Sequence, residues 1–180
     1  MKTAMVHLVI DDAVVADATD VFSLIDPLWE RVDISGSWAR YEATLEPFST
    51  SQRHLFAIQW YRAEVKNGGH DQFFLNSTGI VCEHAIEGLV AIGLAEAADI
   101  LRAASRRIGG ASRDRGIREM QVDAARADLE DLDERFFKLE RTGVLDDLML
   151  AFARQHASDF RFDGTIEMLL PPHEGADVLN

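Results

Sequence analysis

Polar residues that could carry chemistry are concentrated in residues 60–79. One carboxylate and three amides follow one another there: Glu64, Asn67, Gln72 and Asn76. Their helical spacing places the first two on one face of a helix and the last two on one face of a second helix. Gly68 and Gly69 separate the two pairs and allow the chain to turn sharply. We therefore expect these four side chains, called the polar cluster below, to meet around a tight corner.

Two interpretations of the polar cluster are open. In the one we favour, the side chains form hydrogen bonds with each other and with the exposed helix ends. These bonds satisfy backbone N–H and C=O groups that the turn would otherwise leave without partners. In the other, they line a small pocket of a ligand-binding protein or an enzyme, with His70 as an optional titrating group. Amides are poor acids and bases, and Glu64 has no second titrating partner at a clear spacing. We therefore expect no catalytic residue and a protein that is not an enzyme.

Other signatures of catalysis or metal binding are scarce. His84 follows Glu83, but no second histidine comes four residues later, as a zinc-binding protease helix would need. Cys82 is the single cysteine, so it forms no internal disulfide, and its position on an apolar helix face indicates a small core residue. Phosphate-loop, dinucleotide-binding and Gly-x-Ser-x-Gly motifs are missing from the sequence. We expect neither a metal nor a cofactor.

Length and composition indicate one domain. The chain has 180 residues, of which 47% are hydrophobic, enough for a core without stabilising cross-links. No apolar run is long enough to cross a bilayer. The apolar stretch 4–10 is interrupted by His7 and followed by two aspartates, unlike a signal peptide. We expect a cytoplasmic protein.

Helical patterns dominate the chain. Ser49, Thr50 and Ser51 are N-cap candidates for a strong helix that Gly68 and Gly69 end. Apolar residues spaced three and four apart predict one long helix over residues 122–139. Residues 4–10 alternate weakly and are either a short strand or an irregular arm. We predict an all-α fold, a compact single-domain multi-helix bundle, with an N-terminal arm (1–19), a helical domain (20–162) and a mobile C-terminal tail (163–180).

The charge of the chain is strongly acidic and unevenly distributed. A formal net charge of −13 repels nucleic acid and favours basic partners, although charge alone is more often a means of staying soluble. The sign reverses over residues 102–118, where six arginines face one aspartate: Arg102, Arg106, Arg107, Arg113, Arg115 and Arg118 against Asp114. We predict a solvated interhelical loop. The alternatives are a segment that binds an anion or pairs with an acidic patch of its own or a neighbouring subunit.

The stretch 60–79 resembles the signature of the DNA-mimic protein nineteen-like family, a bacterial domain otherwise of unknown function. Matching residues are Trp60, Glu64, Val65, Asn67, Gly68, Gly69, Gln72, Phe73, Phe74, Asn76, Ser77 and Gly79. Lys66 takes the place of a frequent second Asn, and His70 stands where an aromatic residue is common. The resemblance covers roughly residues 20–160, and its motif is too specific to arise readily by chance.

The resemblance implies an all-helical, intracellular bacterial protein. One member of the family is a DNA mimic, whose surface carboxylates imitate phosphates and occupy, as a dimer, the DNA-binding face of a transcription regulator. For this chain the resemblance therefore implies a non-enzymatic protein that binds a basic DNA-binding protein such as a transcription regulator. It implies no direct binding to nucleic acid or membrane. We expect a homodimer by the same analogy and because acidic and basic segments coexist.

Candidates for the mimicking carboxylates are Glu119, Asp123, Glu130 and Glu134. On an ideal helix, at about 100° per residue, they fall within about 60° of one another and away from the apolar stripe. Acids four residues apart lie about 5–6 Å from each other, whereas phosphates on one DNA strand advance about 3.4 Å. One helix would therefore imitate only a sparse row of phosphates, and a second acidic element is needed. The alternative is an ordinary solvated face.

Overall fold

A computed structural model describes residues 3–125 and 127–169. Their elements are β1 (Thr3–Ile10), α1 (Asp12–Asp17), α2 (Phe22–Arg31), α3 (Trp38–Leu45), α4 (Thr50–Leu75), α5 (Cys82–Ala91), α6 (Ala95–Arg107), α7 (Arg115–Ala125), α8 (Glu130–Glu140), α9 (Val144–Gln155) and β2 (Phe162–Leu169). Short 3-10 turns cover Ser77–Val81 and Ala157–Phe160. The predicted all-α class is confirmed, with one small two-stranded sheet in addition.

The central element is α4, which packs against α2, α5, α7 and α8. A capping box fixes its start: Ser49 Oγ accepts the N–H of Gln52 at 3.1 Å, and Gln52 Oε1 accepts the N–H of Ser49 at 3.0 Å. Tyr61 of α4 is fully buried, and its ring lies 5.2 Å from that of Phe73 and 5.0 Å from that of Phe136. These edge-to-face contacts join both parts of α4 to α8 in one core.

Two helices replace the single helix predicted over residues 122–139. The first, α7, ends at Ala125, and α8 begins at Glu130. Val122 packs against the core and Leu129 is buried, so apolar side chains from both helices reach one core although the backbone turns between them. Asp128 Oδ1 accepts the N–H of Glu130 at 3.0 Å and stabilises the new start. The prediction was wrong because apolar spacing reports which side chains are buried, not whether the helix is continuous.

The two strands form an antiparallel ribbon, in register from Thr3↔Leu169 to Ile10↔Phe162. The N-terminal arm is therefore a strand over residues 3–10, one of the two forms that the sequence left open. Residues 163–169 of the predicted tail belong to β2, and residues 170–180 lie outside the described residues. Local sequence did not indicate β2, because Asp163, Gly164 and Glu167 disfavour strands, and pairing with β1 overrides that weak preference.

Candidate functional site

The Gly68-Gly69 corner divides α4 into two halves. Gly69 has φ +74° and ψ −177°, a backbone conformation that essentially only glycine adopts. The available space is equally restrictive, because a Cβ atom on Gly69 would lie 2.4 Å from Oδ2 of Asp133. Asp133 belongs to α8, so the glycine allows a carboxylate from another helix to approach the corner.

Asp133 binds the start of the second half of α4, where backbone N–H groups lack helical partners. Its Oδ1 lies 2.9 Å from the backbone nitrogen and 2.5 Å from the ring Nδ1 of His70. The other ring nitrogen, Nε2, lies 2.9 Å from Oη of Tyr61. Burial raises the pKa of Tyr61 well above its usual value, so the hydroxyl stays protonated. In the neutral imidazole, Tyr61 therefore donates to Nε2, and Nδ1–H donates to Asp133.

Glu64 is the centre of the polar cluster. Its Oε2 accepts hydrogen bonds from Nε2 of Gln72 at 2.7 Å and Nδ2 of Asn76 at 2.9 Å. Its Oε1 accepts one from Oγ1 of Thr78, a buried residue, at 3.1 Å. The carboxylate of the first half of α4 thus holds the second half and the 3-10 turn that follows. This mutual bonding supports the structural interpretation of the cluster, and Thr78 is a member that the sequence did not indicate.

Asn67 is separate from this arrangement. It is exposed and lines a depression of about 500 Å³ together with Phe22, Gln59, Arg62, Ala63 and Lys66. The expectation that all four residues of the polar cluster meet was therefore wrong for Asn67. Asn67 lies three residues after Glu64, so in a continuous helix the two side chains would share a face. The helix breaks at Gly68, directly after Asn67. The spacing therefore cannot show that Gln72 and Asn76, in the second half of α4, contact Glu64 and leave Asn67 exposed.

Arg118 of α7 is buried, although the sequence placed it with five other arginines in a segment that we predicted to be solvated. It is 0% exposed, and its guanidinium donates to the backbone carbonyls of Phe74 at 3.1 Å, Asn76 at 3.0 Å and Ser112 at 2.8 Å. Two of these carbonyls, those of Phe74 and Asn76, belong to the end of α4 and its C-cap, where carbonyl groups lack partners within the helix. A signal was present, because Arg118 lies four residues before Val122 on the apolar stripe. A charged residue in an apolar stripe needs buried partners.

The arginine-rich segment is not a solvated loop, as predicted, but pairs largely with acids of its own chain. The ion pairs are Arg102 with Asp99, Arg107 with Asp131, Arg113 with Glu83 and Arg115 with Glu119. Each exposed pair contributes little to stability, because solvent screens the attraction. Together they compensate the segment's charge within one subunit. The coexistence of acidic and basic segments consequently gives no reason to expect a dimer.

The acids predicted to form one mimicking row are divided between two helices. Glu119 and Asp123 lie on α7, whereas Glu130 and Glu134 lie on α8. Glu119 Oε1 accepts a hydrogen bond from Nε of Arg115 at 2.8 Å, so its charge is compensated. The other three are exposed and form no ion pair with any residue that the structure describes.

A group of exposed acids surrounds the junction of α7, α8 and the second half of α4. We call it the acidic corner; its members are Asp71, Asp123, Asp128, Glu130 and Glu134. Partial burial raises the pKa of Asp71, and the neighbouring carboxylates of Asp133 and Asp128 raise it further. A depression of about 410 Å³ opens here, lined by Asp71, Val122, Asp123 and Ala127. Carboxylates close enough to disfavour one another's ionisation attract a cationic group.

Comparison with known proteins places this geometry in a family. A family model described as DMP19-like protein matches residues 46–156, which include the glycine corner, the polar cluster and the acidic corner. No curated protein matches the chain, and no solved structure does. Within the described residues, the helices are all too short or too polar to cross a membrane.

Proposed function

We propose that this chain, which belongs to the DMP19-like protein family, is a non-enzymatic interaction protein whose carboxylates replace DNA phosphates on a basic DNA-binding protein. The acidic corner is the observation that carries the proposal. Its five carboxylates are exposed and form no ion pair with the described residues. The arginines at 102, 113 and 115 pair with acids outside the corner, and Arg107, which donates to the carbonyl of Asp128, pairs with Asp131 beside it. A partner therefore meets negative charge that residues 3–125 and 127–169 do not pair with a cation.

The break between α7 and α8 supports this function. A single helix offers only a sparse row of charges, but the acidic corner draws its acids from α4, from α7, from the connection and from α8. Charges from several elements cover a surface rather than a line. Such a surface resembles the phosphates along a groove of DNA more closely than one helix does.

The depression at the acidic corner suits a basic side chain of the partner. Val122 and Ala127 provide apolar contact for the aliphatic stem of an arginine or a lysine, and Asp71 and Asp123 lie beside them to receive the charged end. A guanidinium or ammonium group that binds phosphate in DNA can bind a carboxylate in the same way. We therefore place a phosphate-binding side chain of the partner in this depression.

The test is capture of partners from a lysate of the source cell, with the tagged chain as bait. We expect a DNA-binding protein that is released by salt and displaced by competing duplex DNA, because both binding surfaces depend on charge. The variant Asp123→Asn/Glu130→Gln/Glu134→Gln should lose it. The control Glu30→Gln/Glu42→Gln/Glu46→Gln changes the net charge equally at exposed positions on or beside α2 and α3 and should retain it.

Two results would overturn the proposal. One is that the captured partners are indifferent to duplex DNA. The other is that both triple variants lose the partner equally, since net charge and not the acidic corner would then be responsible.

A further inference from the structure

The first residue of α2 and the first half of α4 line a depression of about 500 Å³, which we call the α2–α4 depression. Its volume is typical of a small-molecule site. The lining includes one aromatic ring, two amides and a cation that is half exposed: Phe22, Gln59, Asn67 and Lys66. None of these residues belongs to the acidic corner, so a ligand site here does not depend on the proposed function.

The amide of Gln59 is the feature of this depression that points to a ligand. Gln59 is only 3% exposed and lines the depression. Its side chain nevertheless forms no hydrogen bond within residues 3–125 and 127–169. Buried amides are normally hydrogen-bonded, because an unmet donor and acceptor cost free energy. The complement of a primary amide is a planar group that offers one acceptor and one donor side by side.

Phe22 provides a platform for a planar ligand. Its ring is stacked on that of Trp29, with centroids 6.1 Å apart and planes inclined by 22°. Trp29 in turn contacts the rings of Phe56 at 5.1 Å and Trp60 at 4.6 Å, so the stack is anchored in the core. Phe22 is the outer ring of this stack and is 50% exposed. An aromatic ligand in the depression can therefore extend the stack.

Lys66 offers a positive charge at the same depression. Its side chain is 50% exposed, and its ion pair within the described residues is a contact of 3.3 Å between Nζ and Oε1 of Glu140. The same oxygen accepts a hydrogen bond from Nε of Arg62 at 2.6 Å, so Arg62 is the closer partner of Glu140. An ammonium group has three donors, and Lys66 therefore keeps donors for an anionic group of a ligand.

We propose that the α2–α4 depression binds a free adenine nucleotide, with the base stacked on Phe22, its edge paired with the amide of Gln59, and its phosphate towards Lys66. Glutamine binds adenine through two hydrogen bonds, because its amide matches the amino donor and the ring-nitrogen acceptor on one edge of the base. The ligand is a free nucleotide and not part of a nucleic acid strand, since a net charge of −13 repels a polyanion.

Isothermal titration calorimetry of the full chain tests this assignment with adenosine monophosphate, adenosine, guanosine monophosphate and inorganic phosphate as probes. We expect adenosine monophosphate to bind with a Kd below about 1 mM and inorganic phosphate, which lacks the base, not to bind. Guanosine monophosphate should bind about tenfold more weakly or worse, because the corresponding edge of guanine presents two acceptors and leaves the amide oxygen without a donor.

Three substitutions separate the roles of the lining residues. Phe22→Ala should weaken binding of adenosine monophosphate about tenfold or more, as loss of base stacking does. Met120→Ala, which truncates another exposed apolar side chain on α7, should leave the affinity unchanged. Lys66→Gln should lower the affinity for adenosine monophosphate and leave that for adenosine unchanged, because only the former carries a phosphate.

Gln59→Leu distinguishes a ligand-binding role of the amide from a structural one. It should weaken binding of adenosine monophosphate about tenfold or more, because both hydrogen bonds to the base are lost. The denaturant midpoint should stay the same or rise, since no hydrogen bond within the described part of the chain is removed. A lower midpoint with unchanged binding would show that Gln59 acts in the fold alone and would overturn the proposal.

Further results would also overturn it. One is the absence of binding of adenosine monophosphate at millimolar concentration, and another is binding that Phe22→Ala and Gln59→Leu leave intact. Equal binding of guanosine monophosphate or of inorganic phosphate would exclude recognition of adenine. A single-stranded oligoadenylate that bound more tightly than adenosine monophosphate would identify the ligand as a nucleic acid strand instead.

Discussion

Asp133 and His70 are joined by two hydrogen bonds to a single carboxylate oxygen, from the backbone nitrogen at 2.9 Å and from ring Nδ1 at 2.5 Å. The contact spans 63 residues of sequence and connects α8 to the corner of α4. It places a carboxylate where an interrupted helix begins again, which is where a negative charge is most favourable. The same contact holds α8 next to Asp71. The Gly68-Gly69 turn of α4 therefore helps to position the acids that α8 contributes to the acidic corner.

We expect Asp133→Ala to destabilise the fold by about 2–3 kcal/mol, because it leaves a buried imidazole N–H and a backbone N–H without an acceptor. Chemical denaturation measures the change. Glu134→Ala, at the next and exposed position, should change stability by less than about 0.5 kcal/mol. Equal losses in the two variants would show that the contact with His70 contributes little.

Gly69→Ala should be more destabilising than other substitutions of glycine at positive φ. The methyl group would meet Oδ2 of Asp133 at 2.4 Å in a conformation that alanine avoids. We expect a loss of about 3 kcal/mol or more. Gly143 also has a positive φ of 73°, but no atom lies within 4 Å of its added Cβ, so Gly143→Ala should cost only about 1 kcal/mol. Thermal and chemical unfolding of both variants provide the comparison, and similar losses would contradict the steric argument.

Glu64→Gln tests the structural role of the polar cluster. An amide in place of the carboxylate turns one oxygen into an N–H₂ group, which then faces either the donors on Gln72 and Asn76 or the hydroxyl of Thr78, so about 1–3 kcal/mol of stability should be lost. Asn67→Ala, at an exposed position outside these contacts, should have little effect. If Glu64→Gln instead left the free energy of unfolding unchanged, the structural interpretation would fail and a ligand-binding role would regain support.

Arg118→Met removes the donors that satisfy carbonyls at the end of α4. We expect a loss of about 2–4 kcal/mol, although methionine preserves much of the apolar stem. Arg115→Met is the matched control: Arg115 is exposed, donates to the carbonyl of Leu75 at 3.2 Å and pairs with Glu119, so it should lose about 1 kcal/mol or less. Denaturant midpoints that coincide for the two variants would contradict the role assigned to Arg118.

The pH dependence of stability should reveal the unfavourable burial and charge repulsion of the Asp71 carboxylate at the acidic corner. The folded chain raises the pKa of Asp71, so its ionised form destabilises the fold at neutral pH. This penalty disappears as the pH falls below the ordinary pKa of aspartate, because the group is then protonated in both folded and unfolded chains. Asp71→Asn should therefore raise Tm slightly at neutral pH and lose that advantage in acid. Glu42→Gln, with the same change of net charge, controls for the total charge. If the gain in Tm of Asp71→Asn instead increased as the pH fell, the result would contradict this prediction.

The sequence determined the helical class, the start of α4 at one of the N-cap candidates Ser49, Thr50 and Ser51, and the corner at Gly68 and Gly69. These features are local: a cap, a glycine pair and an apolar period act over a few residues, so a single segment reveals them. The motif around Glu64 also indicated the family correctly, as the match over residues 46–156 confirms.

Tertiary structure decided which distant groups meet. Asp133 reaches His70, Arg118 reaches the end of α4, and β2 pairs with β1, although 63, 44 and more than 150 residues of chain separate these partners. It also ended α7 before α8, so that apolar side chains of two separate helices, among them Val122 and Leu129, reach one core. Local periodicity specifies which side chains are buried, but the partner of a buried polar group depends on the packing of the whole chain, and so the acidic corner became visible only in the folded protein.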